Sequence, residues 1–152
     1  MTRRTGITAS LLTALLLVAP VARADDPVKD IIDHEVPALK DGTRIAMTDL
    51  QAAILAACER RRFAATVVSP GLITARWVHG GHWFDVSIPF SDSTYSIRYK
   101  DSERMDYNPA KNRIDDAYNE YVAALSEHIE ADFERALKRL KVEQKRARAA
   151  AR

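Results

Sequence analysis

Two runs in the middle of the chain alternate apolar and polar residues with a period of two. Phe84, Val86, Ile88 and Phe90 alternate with Trp83, Asp85, Ser87 and Pro89. Tyr95, Ile97 and Tyr99 alternate with Ser96, Arg98 and Lys100. That period marks a half-buried strand, because successive side chains point to opposite faces. Ser91-Asp92-Ser93 between the runs is polar and turn-forming, so the pair reads as a hairpin. Pro89 has no N–H to give to a ladder, which favours an edge or a strand end. Residues 63–69 are apolar and β-branched and predict an earlier strand, and residues 72–78 predict the next. Ser69-Pro70-Gly71 and His79-Gly80-Gly81-His82 supply the turns. The expectation is a four-stranded antiparallel meander.

Helical spacing flanks these strands. Leu50, Ile54, Leu55 and Cys58 share one face of a helix over 48–62, with alanines throughout and Thr48 or Asp49 as its cap. Three arginines close it, which suits the negative end of the helix dipole. From Lys111 or Asn112 a helix of about thirty residues is expected. Its stripe is Ile114, Tyr118, Tyr121, Val122, Leu125, Ile129, Phe133, Leu137 and Leu140, with Asp115 and Asp116 as first-turn acids. The fold class is therefore α+β, in the order α-β-β-β-β-α, with both helices on one face of the sheet.

The ends of the chain divide differently. Arg3 and Arg4, an apolar run through Ala19, and Ala22-Arg23-Ala24 have the layout of a signal peptide, with cleavage expected after Ala24. The run is too short for a comfortable membrane span, so no transmembrane segment is expected after cleavage. The expected location is the bacterial periplasm. Residues 25–47, with Pro27 and Pro37 and many charges, read as an extended leader, with one helical turn at most over 30–35. Residues 48–140 form the domain. Residues 141–152 are basic and alanine-rich with little to bury, and read as a disordered tail.

Charge is split as well. Residues 25–137 carry 13 basic and 20 acidic residues, whereas 138–152 carry seven basic and one acidic. The overall charge of +2 is therefore no argument for nucleic-acid binding, and none is expected. Cys58, the only cysteine, cannot form an internal disulfide and reads as a buried thiol.

Pro70-Gly71-Leu72-Ile73, the stretch from Ser96 to Tyr107, and Ala117-Tyr118-Asn119-Glu120-Tyr121 together resemble a family. It is a group of small uncharacterised bacterial exported proteins, many of them lipoproteins. Their pattern is P-G-x-I, then S-I-x-Y-x-x-S-x-x-(M/L)-x-Y, then an aromatic N-Y-N-x-(Y/W) segment. The resemblance spans roughly residues 50–129 and is most specific over 87–121. It implies an exported α+β module and no particular reaction. This chain lacks the lipid-accepting cysteine, so lipid anchoring does not carry over.

Three clusters offer candidate chemistry. His79, His82 and Asp85 are close enough in sequence to approach one zinc, copper or nickel ion, although exposed histidines in a turn are ordinary. Arg98 and Lys100, beside Tyr99, present cations to an anionic ligand or headgroup, or simply form a solvated strand face. In a structural variant, Asp101, Ser102 and Asp106 satisfy backbone groups of the following loop, with Tyr107 beneath the long helix. Trp77 and Trp83 flank the histidine turn and form either sheet packing or an exposed aromatic platform. No nucleophile elbow, P-loop or dinucleotide fingerprint is present, so no enzymatic activity and no cofactor is expected. The leading expectation is a binding or interaction module whose partner is a protein or envelope component, with a homodimer as one form. The alternatives are a metal- or small-ligand-binding protein and a protein held at the envelope surface by its basic tail.

Overall fold

A computed structural model describes residues 25–151. Residues 1–24, the expected signal peptide, lie outside the described residues. The elements run β1 (Asp25–Pro27), β2 (Ile31–Glu35), α1 (Met47–Arg60), β3 (Phe63–Ser69), β4 (Leu72–His79), β5 (His82–Pro89), β6 (Thr94–Glu103), β7 (Arg113–Asp115) and α2 (Asp116–Ala150). Strands β3 to β6 form the expected meander, but the sheet has five strands, in the order β2-β6-β5-β4-β3, all antiparallel. β1 and β7 make a separate two-stranded ribbon.

One face of the sheet is apolar and carries both helices. Ile73, Ala75 and Trp77 of β4, Phe84, Val86 and Ile88 of β5, and Tyr95 and Ile97 of β6 are buried there. From α2, Tyr118, Val122, Leu125, Ile129 and Phe133 are fully buried against them. Aromatic rings dominate the seam. Phe84 meets Tyr118 edge-on at 5.0 Å, Trp77 lies 4.1 Å from Tyr121, and Tyr95 meets Phe133 edge-on at 5.5 Å. α1 buries Leu50, Ile54, Ala57 and Cys58 beside them. The two helices are clamped at the buried carboxylate of Asp132, which accepts from Arg60 of α1 and Arg135 of α2.

The N-terminal segment departs from the expectation. It is not an unstructured leader, and 31–35 is a strand rather than a helical turn. β2 adds to β6 at the sheet edge, pairing Ile31 with Ile97 and His34 with Tyr95 around a bulge at Asp33, whose φ is 47°. Pairing with a distant strand overrides weak local signals here. Asp30 fixes the junction. Its Oδ1 accepts the Tyr99 N–H at 2.9 Å and the Tyr118 hydroxyl at 3.0 Å.

The helices differ at their ends. α1 starts after Ala46 with no side-chain cap; Thr48 and Asp49 lie inside it, and the Ala46 carbonyl accepts from Asp49 and Leu50. α2 begins at Asp116, not Lys111, because 113–115 pair with β1. Asp115 is its cap, accepting the Ala117 N–H at 3.0 Å. α2 also continues to Ala150, so residues 141–150 are helix rather than a disordered tail. Alanine, lysine and arginine carry the helix there by propensity.

Asp30→Ala leaves the buried Tyr118 hydroxyl without its acceptor and unpins β2. It is expected to lower unfolding stability by about 2 kcal/mol, while exposed Lys29→Ala stays within about 0.5 kcal/mol. Urea denaturation of both variants checks this.

Candidate functional site

The helices leave the other face of the sheet open. The turn Gly80-Gly81 pairs His79 with His82, and the ladder then sets Val78 opposite Trp83 and Trp77 opposite Phe84. The two tryptophans are thus one register step from facing each other, and one step reverses the face. Trp77 is buried beneath Tyr121, and Trp83 lies on the open face. They form no cross-strand pair and no shared platform.

Around Trp83 the open face carries a closed polar network. Arg76 gives Asp85 two parallel hydrogen bonds, each 2.7 Å, and its guanidinium sits 4.1 Å over the Trp83 ring. Trp83 Nε1 donates to Glu103 Oε2 at 2.8 Å. The bonds to Asp85 hold the Arg76 guanidinium even more firmly protonated than usual. A bidentate pair stacked on a ring is satisfied internally, so the cluster stiffens this part of the sheet.

The histidine cluster does not assemble. His79 and His82 lie across the hairpin end, and Asp85 points to the opposite face, committed to Arg76. The Nδ1 of His82 lies 2.5 Å from the Arg104 carbonyl. Among the described residues no three His, Cys, Asp or Glu side chains converge as a metal site.

Arg98 lies opposite Ser87 on the open face, but Lys100 falls at a bulge, since Asp85 pairs with Asp101 and Val86 with Tyr99. Tyr99 turns inward, with its ring 4.2 Å from Tyr107 and its hydroxyl 2.9 Å from Ser102 Oγ. Asp101 accepts the Ser102 N–H at 2.8 Å. Arg104 and Asp106 have φ of 56° and 50°. Around an open groove of about 690 Å³, Tyr99, Asp101 and Ser102 bond within the loop, and Lys100, Arg104 and Asp106 also line it.

The surface that sequence reasoning missed is the β3 edge. β3 is the outermost strand, and Phe63-Ala64-Ala65-Thr66-Val67-Val68-Ser69 carries no charge. Val67 and Val68 are 39% and 56% exposed. Beside them is an apolar groove of about 340 Å³, lined by Met47, Gln51, Val67, Pro70 and Phe90 among others. The signal was available, because the first strand of a meander is an edge unless something later covers it.

No family model, curated protein or solved structure matches the chain.

Cys58 is fully buried, and burial pushes its thiol up to about 12 from 9.0. Burial likewise pushes Tyr95 up to about 12 from 10.0. Both groups stay protonated in the fold at pH values where the unfolded chain releases the protons. Stability therefore falls as pH rises from about 9 towards 12. Cys58 is expected to resist a thiol reagent at neutral pH until urea unfolds the chain. Denaturation midpoints across alkaline pH, with thiol titration in and out of urea, check both.

Proposed function

We propose that this chain is an exported, non-enzymatic interaction module of the bacterial periplasm, and that it engages an envelope protein by accepting a strand from it along β3. The contrast between the two edges of one sheet carries this reading. The β2 edge has five residues, two acids, a histidine and a bulge. These are the devices that stop a strand edge from recruiting another chain. β3 has seven uncharged residues and only a register shift near its end, between Val67 and Ser69. Strand addition takes affinity from main-chain hydrogen bonds and specificity from pockets beside the edge. The groove at Met47 and Phe90 lies where such a pocket belongs. Export rests on the Arg3-Arg4 start, the apolar run and Ala22-Arg23-Ala24. The resemblance to small exported proteins agrees with it.

A photoreactive amino acid at Val68, in cells making the chain, is expected to give a discrete adduct with an envelope protein. The same probe at Val142, also exposed, should not give that adduct. Thr66→Lys with Val68→Lys should abolish the adduct without lowering the melting temperature by more than a few degrees. No adduct from Val68, or the same adducts from both probes, contradicts the reading. An adduct of twice the chain's mass replaces the envelope protein with a second copy.

A further inference from the structure

The C-terminal part of α2 extends past the core, yet it is not left loose. Ala136 is the last buried residue of the helix. A hairpin over 38–44 reaches across to hold the helical turns beyond it. Ala38 bridges to Arg44, Gly42 turns with φ of 83°, and Asp41 Oδ1 accepts from both the N–H and the hydroxyl of Thr43. The other oxygen, Asp41 Oδ2, accepts from Gln144 at 2.9 Å and Arg148 at 3.2 Å. These hydrogen bonds, led by Thr43, hold the Asp41 carboxyl down to about 2, so the clasp is ionised at any ordinary pH.

Between hairpin and helix lies a groove of about 470 Å³. Ala38, Leu39 and Leu137 give it an apolar floor, and Lys40, Lys138 and Lys141 a cationic rim. Glu134 also lines it, and Asp41 is engaged by the clasp. The three lysines have no ion pair among the described residues. The rim continues along the helix. Lys138, Lys141, Lys145 and Arg148 are spaced three, four and three apart, which stacks four cations on one side over about 15 Å. Stacked like charges oppose the helix that carries them. The rest of the described chain, residues 25–137, is acidic by seven charges. An anionic surface would thus repel the body and attract this end.

We propose that this groove and ladder seat anionic phospholipid at a bilayer surface. One headgroup is held by Lys40, Lys138 and Lys141, with its apolar stem against Leu39 and Leu137. Neighbouring headgroups are met by Lys145, while Arg148 stays in the clasp with Asp41. The row of cations is too long for a single small anion, and the apolar floor suits an amphiphile. Residues 138–152 contain no aromatic side chain on which nucleic-acid bases could stack. The inference does not depend on the β3 edge.

The test is vesicle co-sedimentation with the chain from Asp25 onward, which contains every described element. Vesicles are phosphatidylcholine alone or mixed with phosphatidylglycerol. Binding is expected only to the mixed vesicles, weakening as salt rises. Lys138→Gln with Lys141→Gln should weaken it about twenty-five-fold. Leu39→Ser should weaken it too, whereas Lys100→Gln, on the sheet, should not. Inorganic phosphate at millimolar concentration and a duplex oligonucleotide should fail to compete. Equal binding to neutral vesicles, an unchanged Lys138→Gln/Lys141→Gln variant, an unchanged Leu39→Ser variant, or displacement by phosphate or the oligonucleotide overturns the proposal. Circular dichroism confirms that each variant keeps its helix content.

Discussion

The structure depends on one contact, the apolar stripe of α2 lying across the inner face of the sheet. Tyr118, Val122, Leu125, Ile129 and Phe133 are all fully buried there. A fully buried side chain of this size contributes about 1.5–3 kcal/mol by leaving water, so the seam outweighs every surface pair in the molecule. It is also where the polar anchors sit. Tyr95 and Ser126 share a hydrogen bond of 2.7 Å, and Tyr118 reaches Asp30. Because these groups are buried, losing a partner costs more than forming the bond gained.

With one face taken by the helices, the other face and the two strand edges are what the molecule can offer. On the open face, Arg76, Asp85, Trp83 and Glu103 answer one another's charges and polar groups. The β2 edge is short and charged. β3 alone combines length, neutrality and exposed valines, and it lies at the far side of the sheet from the β2 edge. The basic end of α2 is a second, separate surface, set apart by charge rather than by backbone groups left open.

Much of the fold was legible in the chain. The alternation at Phe84–Val86–Ile88 and at Tyr95–Ile97–Tyr99 identified both strands and their inner faces, and the helical spacing found the stripe of α2. β1, β2 and β7 were not legible. Asp25-Asp26-Pro27 and Arg113-Ile114-Asp115 have no strand pattern of their own, and they are strands because each finds the other. Asp33 and His34 hid β2 in the same way, since a bulge breaks the period. Among the candidate sites, register decided between the two readings of Trp77 and Trp83. Sequence proximity across a turn does not say which residues share a face until the pair at the turn is known. The same step separated Asp85 from the two histidines. The helical tail was misread because burial was sought as the criterion for order, whereas Lys141–Ala150 is helical by composition and by its clasp to Asp41.

The central claim is that β3 presents an unfilled edge while the sheet behind it is closed. Amide hydrogen exchange of the isolated chain, resolved by residue, tests that most directly. In an antiparallel edge strand every second N–H points away from its neighbour. Alternate amides of β3 should therefore exchange orders of magnitude faster than those of Ala75, Trp77, Phe84 and Val86 in the sheet interior. Uniform slow exchange along β3, matching β4 and β5, would mean that the edge is already covered and would contradict the account.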